Sequence, residues 1–157
     1  MASRVDYAVS CVPICAVAAG ENLATETLCT DVAKGLGASG SATVTWGATI
    51  GYAAGVPAYV TTGATIGTGT TIGTLTSVKF VYIKHTGCLF SSSAVLGAAT
   101  TYKVTVCMNA TVAAATTIAV LNPGEAIVLP YNTATTPTIF VAPEAAFAVA
   151  VEVMATA

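Results

Sequence analysis

Charge is what this chain lacks. Its 157 residues hold 5 Lys and Arg against 7 Asp and Glu, or 8 % charged, where an ordinary globular domain carries about one quarter. A monomer of 15.5 kDa exposes roughly 7,200 Å² by the size law, so each charge would serve roughly 600 Å². At usual composition the figure is nearer roughly 200 Å². The remaining surface has to be hydroxyl, small apolar groups and backbone. Such an exterior suits permanent contact with other subunits better than free diffusion.

Other absences narrow the field further. The cations Arg4, Lys34, Lys79, Lys84 and Lys103 are scattered and the formal net charge is −2, so no groove of clustered cations could follow nucleic-acid phosphates. The mean hydropathy is high at +0.80, yet Thr, Ser, Gly and Pro interrupt every apolar run before the about 18 residues that a membrane helix needs. Lipid-facing strands of about ten residues with aromatic girdles are not visible either, and no membrane partner is expected. Residues 9–19 look like a weak signal-peptide core ending near Ala16-Val17-Ala18, but Pro13 lies inside them and the flank is barely basic; the N-terminus is expected to be retained. The five cysteines (Cys11, Cys15, Cys29, Cys88 and Cys107) are odd in number and share no spacing. They read as small buried hydrophobes of a reducing compartment, not as a disulfide framework. Disorder is excluded by the 55 % hydrophobic content and the low net charge.

What is present reads as β structure after a distinct N-terminal stretch. Residues 1–40 hold four of the seven acids (Asp6, Glu21, Glu26 and Asp31), and Val5, Tyr7, Val9 and Cys11 alternate as in an extended arm or edge strand. Leu23, Leu28 and Val32 recur near helical spacing between a capping Asn22 and a terminating Gly35, which predicts a short helix over about 22–34. Residues 41–157 form the second region. Thr43-Val44-Thr45-Trp46 and residues 56–62 are β-branched or aromatic runs bounded by Gly or Pro. Residues 76–85 form the strongest strand, with Val78, Phe80 and Tyr82 on one side and Val81 and Ile83 on the other, as expected of a strand covered on both faces. Residues 102–108 and 116–121 follow. Asn122-Pro123-Gly124-Glu125 fits a type II turn, and residues 126–129 are expected to return from it as a hairpin. Phe147-Ala148-Val149-Ala150-Val151-Glu152-Val153 closes the chain with clean alternation. The fold expected is mainly β: a single-domain antiparallel β-sandwich, jelly-roll-like, with an extended N-terminal arm and one short helix.

Val60, Ile66, Ile72 and Val78 recur every six residues, the period of a β-helix. These hexads would build barely one coil, which cannot bury its own apolar face. A Thr/Gly-rich hairpin or long loop is the preferred reading.

The motifs that carry chemistry fail on context. Gly35-Leu36-Gly37-Ala38-Ser39-Gly40 matches the dinucleotide fingerprint literally, but a helix-like stretch precedes it and a β-like one follows, the reverse of what phosphate binding requires; a flexible hinge is expected there. His85 is the only histidine, flanked by Lys84 and Thr86 at the expected end of a strand, with no nucleophile or acid assigned to it by sequence. Cys11, Cys15 and Cys29 could offer three thiolates to zinc, yet a fourth ligand is missing and Pro13 sits inside the pair. Glu125, Glu144 and Glu152 are a possible carboxylate set without defined geometry. Asn109-Ala110-Thr111 is a glycosylation acceptor only in a secreted protein. No catalytic, cofactor-binding or metal-ligating residue is therefore assigned, no cofactor is expected, and the chain is not expected to be an enzyme.

The segment Phe80-Val81-Tyr82-Ile83-Lys84-His85-Thr86-Gly87, followed by Leu121-Asn122-Pro123-Gly124-Glu125-Ala126-Ile127-Val128-Leu129-Pro130 and the alternating C-terminal strand, resembles small virion structural proteins of tailed bacteriophages. The resemblance covers roughly residues 78–157 and rests on turn chemistry. It implies a non-enzymatic β-sandwich capsid decoration (cement) protein, or alternatively a head-fibre or tail component with a host-recognition β-sandwich. Its partners would then be itself, as a homotrimer, and the major capsid protein or other virion subunits, and its place the virion, assembled in the host cytoplasm. Under the recognition alternative, Trp46, Tyr52, Tyr59 and Tyr131 are the candidate contacts.

Overall fold

The computed structural model describes residues 3–10, 37–44, 52–53, 56–57, 59–73, 80–130 and 138–156. The chain divides into two compact units, Met1–Val44 and Thr45–Ala157. In the first, β1 (Ser3–Ser10) and β2 (Gly37–Val44) form an antiparallel ladder running from Ser3 opposite Val44 to Ser10 opposite Gly37. The alternating N-terminal segment is thus a paired strand. Its partner includes Gly37 to Gly40, part of the stretch expected to be a hinge. With β1 alongside, these glycines have a ladder to join, and backbone pairing overrides their intrinsic freedom. The helix expected over 22–34 lies outside the described residues.

The second unit is a mainly antiparallel, sandwich-like β structure. Its strands are β3 (Tyr52–Ala53), β4 (Val56–Pro57), β5 (Tyr59–Thr61), β6 (Thr70–Thr71), β7 (Phe80–Phe90), β8 (Leu96–Ala99), β9 (Val104–Cys107), β10 (Thr117–Leu121), β11 (Ala126–Pro130), β12 (Phe140–Pro143) and β13 (Val149–Thr156). β3 and β4 pair only with each other. One sheet has the order β10-β9-β12-β6; the other has β11-β7-β13-β5, with β8 also on β7. From β5 to β13 the chain changes sheet at every connection except β7–β8 and β9–β10, in keeping with the antiparallel sandwich expected of it.

The core lies where the sheets face each other. Ile72, Val104, Val106, Leu121, Ile139 and Val141 belong to one side; Val81, Ile83, Val149, Val151, Val153 and Ala155 belong to the other. Nearly all are β-branched, which suits a pleated, half-buried surface. Burying each Val, Ile or Leu contributes about 1.5–3 kcal/mol before entropy is charged against it. β7 shows the period of two clearly: Val81, Ile83 and His85 are buried, while Tyr82 and Lys84 are half-exposed. Across β7, β13 and β5 the outward row is Lys84, Glu152 and Tyr59 in register.

Two expectations are corrected here. β7 runs on to Phe90, so His85 lies within the strand and not at its end. Gly87 carries the strand past the kink: its φ of 81° is open to glycine and strained for other residues. The turn at residues 122–125 has the expected chemistry, with φ 86° at Gly124 and an N–H of Glu125 donating to Asn122 O at 3.0 Å. It does not close a hairpin, however. β10 pairs with β9 and β11 with β7, so the turn carries the chain from one sheet to the other. A tight turn sets local direction only; burial of both strands' apolar faces across the core selects separate sheets. The hexads follow the preferred loop reading, and their described residues make no coil. β5 pairs with β13 in one sheet and β6 with β12 in the other, with a long loop between. Ile72 is buried and Ile66 is 61 % exposed; Val78 lies outside the described residues.

Candidate functional site

Among the described residues of the second unit the buried polar groups are Thr62 and His85, and His85 is the hub of the better-connected cluster. Its Nδ1 accepts the Gly87 N–H at 2.9 Å, and its Nε2 lies 2.7 Å from Tyr102 O. Because one nitrogen accepts a backbone proton and the other faces a carbonyl, the hydrogen bonds assign Nδ1 as acceptor and Nε2 as donor. The His85 backbone is engaged too: its N–H donates to Glu125 O at 2.9 Å, and its O accepts the Gly124 N–H at 3.0 Å. The residue therefore ties β7 to the loop before β9 through its ring and to the turn between β10 and β11 through its backbone. Both ring nitrogens are occupied by backbone, which leaves neither for proton transfer to a bound molecule in this arrangement.

Around this hub the charged residues form separate small brackets. Glu144 Oε2 accepts the Lys103 N–H at 2.9 Å, and the Glu144 N–H donates to Lys103 O at 3.1 Å. Glu125 Oε2 accepts from the Asn122 backbone N–H at 2.8 Å and from Asn122 Nδ2 at 3.0 Å. These bonds, the backbone one foremost, hold the Glu125 carboxyl below the usual carboxylate range. Glu152 sits on β13 opposite Lys84 and Tyr59; burial, and then the Glu152 charge, push the Tyr82 phenol up. The three glutamates considered as a carboxylate set thus stand on three different elements, each in its own local setting.

The cysteines give little purchase for chemistry. Cys107 is buried, its Sγ donating to Asn109 O at 3.2 Å, and burial raises its pKa; a protonated buried thiol is a weak nucleophile and ligand. Cys88 is half-buried and free. Cys11, Cys15 and Cys29 lie outside the described residues. Among the described residues no three His, Cys, Asp or Glu gather as a metal site would require, and no helix is long and apolar enough to cross a membrane. Of the aromatic candidates, Tyr59 is half-buried in β5 and Tyr52 lies in β3; Trp46 and Tyr131 are outside the described residues.

One aromatic arrangement was not legible in sequence. The rings of Tyr102 and Phe147 stack with centroids 5.2 Å apart and planes 7° from parallel, although Phe147 is 48 % exposed. The reading of residues 147–153 as one strand assigned Phe147 to the sheet. The strand instead begins at Val149, and Phe147 sits in the preceding bend with its N–H donating to Ala145 O at 2.7 Å. Nothing in local periodicity separates the two outcomes, because the partner ring is forty-five residues away in sequence.

Compared with known protein families, curated proteins and solved structures, the chain matches none.

Proposed function

We propose that this chain is a non-enzymatic virion structural protein, a capsid decoration (cement) protein that stabilises a phage head through contacts between subunits. The observation that carries the reading is the poverty of charge: twelve charged side chains serve the 157 residues, for which the size law gives roughly 7,200 Å² of surface. Ile66, Val95, Met108, Val120 and Phe147 add exposed apolar bulk. Burying such surface against neighbours provides a gross driving force of about 25 cal/mol per Å², most of it offset by ordering and desolvation. Repetition over a lattice then multiplies weak contacts into avidity. Partners in this reading are further copies of the chain, as a trimer, and the major capsid protein. Native mass spectrometry of the purified chain tests it: a trimer is expected, and a monomer at all concentrations overturns the proposal. Labelling of intact particles should place the protein on the outer shell.

A second reading, a fibre or tail module that recognises a host surface, is favoured by the Tyr102–Phe147 stack. An exposed Phe147 ring braced by half-buried Tyr102 suits an anchor, since little side-chain entropy remains to be lost on binding. Under this reading Phe147→Ala abolishes attachment to host cells and leaves particle stability unchanged. Under the cement reading attachment is unaffected.

A further inference from the structure

We infer that the end of the four-stranded sheet formed by residues 62–69 and 108–116, with the adjoining outer edge of β10, is the surface on which a second copy of this chain packs. The inference rests on the self-association reading above and names its location.

The two loops form one surface. Thr68 and Thr111 make an antiparallel bridge, the Gly69 N–H donates to Ala110 O at 2.6 Å, and the Val112 N–H donates to Gly67 O at 3.0 Å. No charged residue occurs from Gly35 to Val78 or from Val104 to Gly124, so this surface and β10 are uncharged throughout. Three of their polar side chains are turned onto nearby backbone. Thr116 Oγ1 donates to Ala113 O at 3.1 Å, Thr117 Oγ1 to the same oxygen at 2.9 Å, and Asn109 Oδ1 accepts the Thr111 N–H at 3.3 Å. Seven of the eleven exposed residues of the two loops are Ala, Ile or Met, beside Thr65, Thr68, Asn109 and Thr111, with Ile66 61 % and Met108 44 % exposed and Val120 of β10 51 %. Removing such a surface from water strands no charged group, the costliest kind to bury.

The chemistry selects a copy of the same chain as occupant. A different protein is usually discriminated through complementary charge, and this surface offers none. A copy brought to it by symmetry meets another neutral surface and no like-charge repulsion. Size agrees with a contact that works in numbers. The first loop exposes four residues and the second seven, about half of the 20–30 residues per side of a standard interface before the β10 edge is added. Among the described residues no strand pairs with the outer edge of β10. The register shift between Thr117 and Ala119 interrupts its ladder, so the contact is one of side-chain packing and not of an added strand.

Sedimentation velocity across a wide dilution series tests this with the full chain and three variants, each checked for an unchanged thermal midpoint. Ile66→Asp and Ala114→Asp each place a charge on the proposed contact; either should weaken self-association roughly tenfold or more. Ala146→Asp places the same charge on an exposed position at the other end of the sheet and should leave association unchanged. If the unaltered chain associates but Ile66→Asp and Ala114→Asp do not weaken it, or only Ala146→Asp does, the location is wrong and self-association stands. If the unaltered chain is a monomer throughout, self-association itself fails and takes the location with it. Ile66→Ser serves as the second probe should Ile66→Asp not fold; its association is expected to fall by a smaller factor, and no change would count against the location.

Discussion

The two ends of the four-stranded sheet are built from opposite materials. At the end where β9 begins, Lys103, Glu125 and Glu144 bracket the loops, the Tyr102 and Phe147 rings stack, and His85 ties three segments through its ring and backbone. At the end where β9 finishes, the loops 62–69 and 108–116 carry no charged residue and are joined main chain to main chain. The first end is organised by side chains that satisfy specific backbone groups; the second is organised by close backbone approach. The lesson is a division of labour. A surface that must be removed from water is better built without polar side chains reaching outward, while rigidity is supplied where such side chains can work.

Four measurements sharpen or break that contrast. The largest effect is expected at the charged end. His85→Leu keeps the volume roughly but leaves the Gly87 N–H and Tyr102 O without their ring partner. At about 1–3 kcal/mol for each unsatisfied group, the loss should be roughly 2–5 kcal/mol by urea denaturation. A loss below about 1 kcal/mol would mean that water replaces the ring and that this end is not side-chain organised.

Gly69→Ala probes the neutral end. A Cβ there would lie 2.7 Å from Phe140 Cβ and 3.5 Å from Asn109 O, too near for the loop and β12 to keep their positions. Destabilisation of about 1–3 kcal/mol is expected from the overpacking, with the amides of residues 109–112 losing hydrogen-exchange protection. Unchanged protection there would show that the two loops are not closely joined.

Gly124→Ala should cost about 1–2 kcal/mol, since φ of 86° is strained for alanine although nothing lies within 4 Å of the added carbon. Thermal unfolding resolves this purely conformational effect from the packing effect at Gly69.

The smallest effect is at Glu125. Its folded-state carboxyl is depressed by Asn122, so its contribution is present above the unfolded carboxylate value of about 4.3 and fades as pH falls through the lower folded value. Glu125→Gln should flatten the acid side of the stability profile and alter neutral-pH stability little. An identical acid limb in the variant would assign that limb to other groups.

Much of the sandwich was readable because alternation is local. Val81, Ile83 and His85 on one face of β7, and Val149, Val151 and Val153 of β13, are inward at the positions that a period of two dictates. The type II geometry at residues 122–125 was readable for the same reason, since Pro and Gly restrict their own torsions. The hairpin it was taken to close was not, because a partner strand is chosen by core burial across the whole unit. Phe147 was assigned to the last strand because Ala148 and Val149 continue its alternation, and only Tyr102 across the loop decided otherwise.

Residue chemistry alone settled that this chain would be β-rich, that its turns would fall at glycines and prolines, and that its exterior would be nearly bare of charge. Those properties belong to single residues and their immediate neighbours. Tertiary structure decided which strands share a sheet, that His85 spends both nitrogens on backbone, and that two uncharged loops distant in sequence meet main chain to main chain. Each of these depends on segments far apart in sequence meeting across a buried core, which no local pattern encodes.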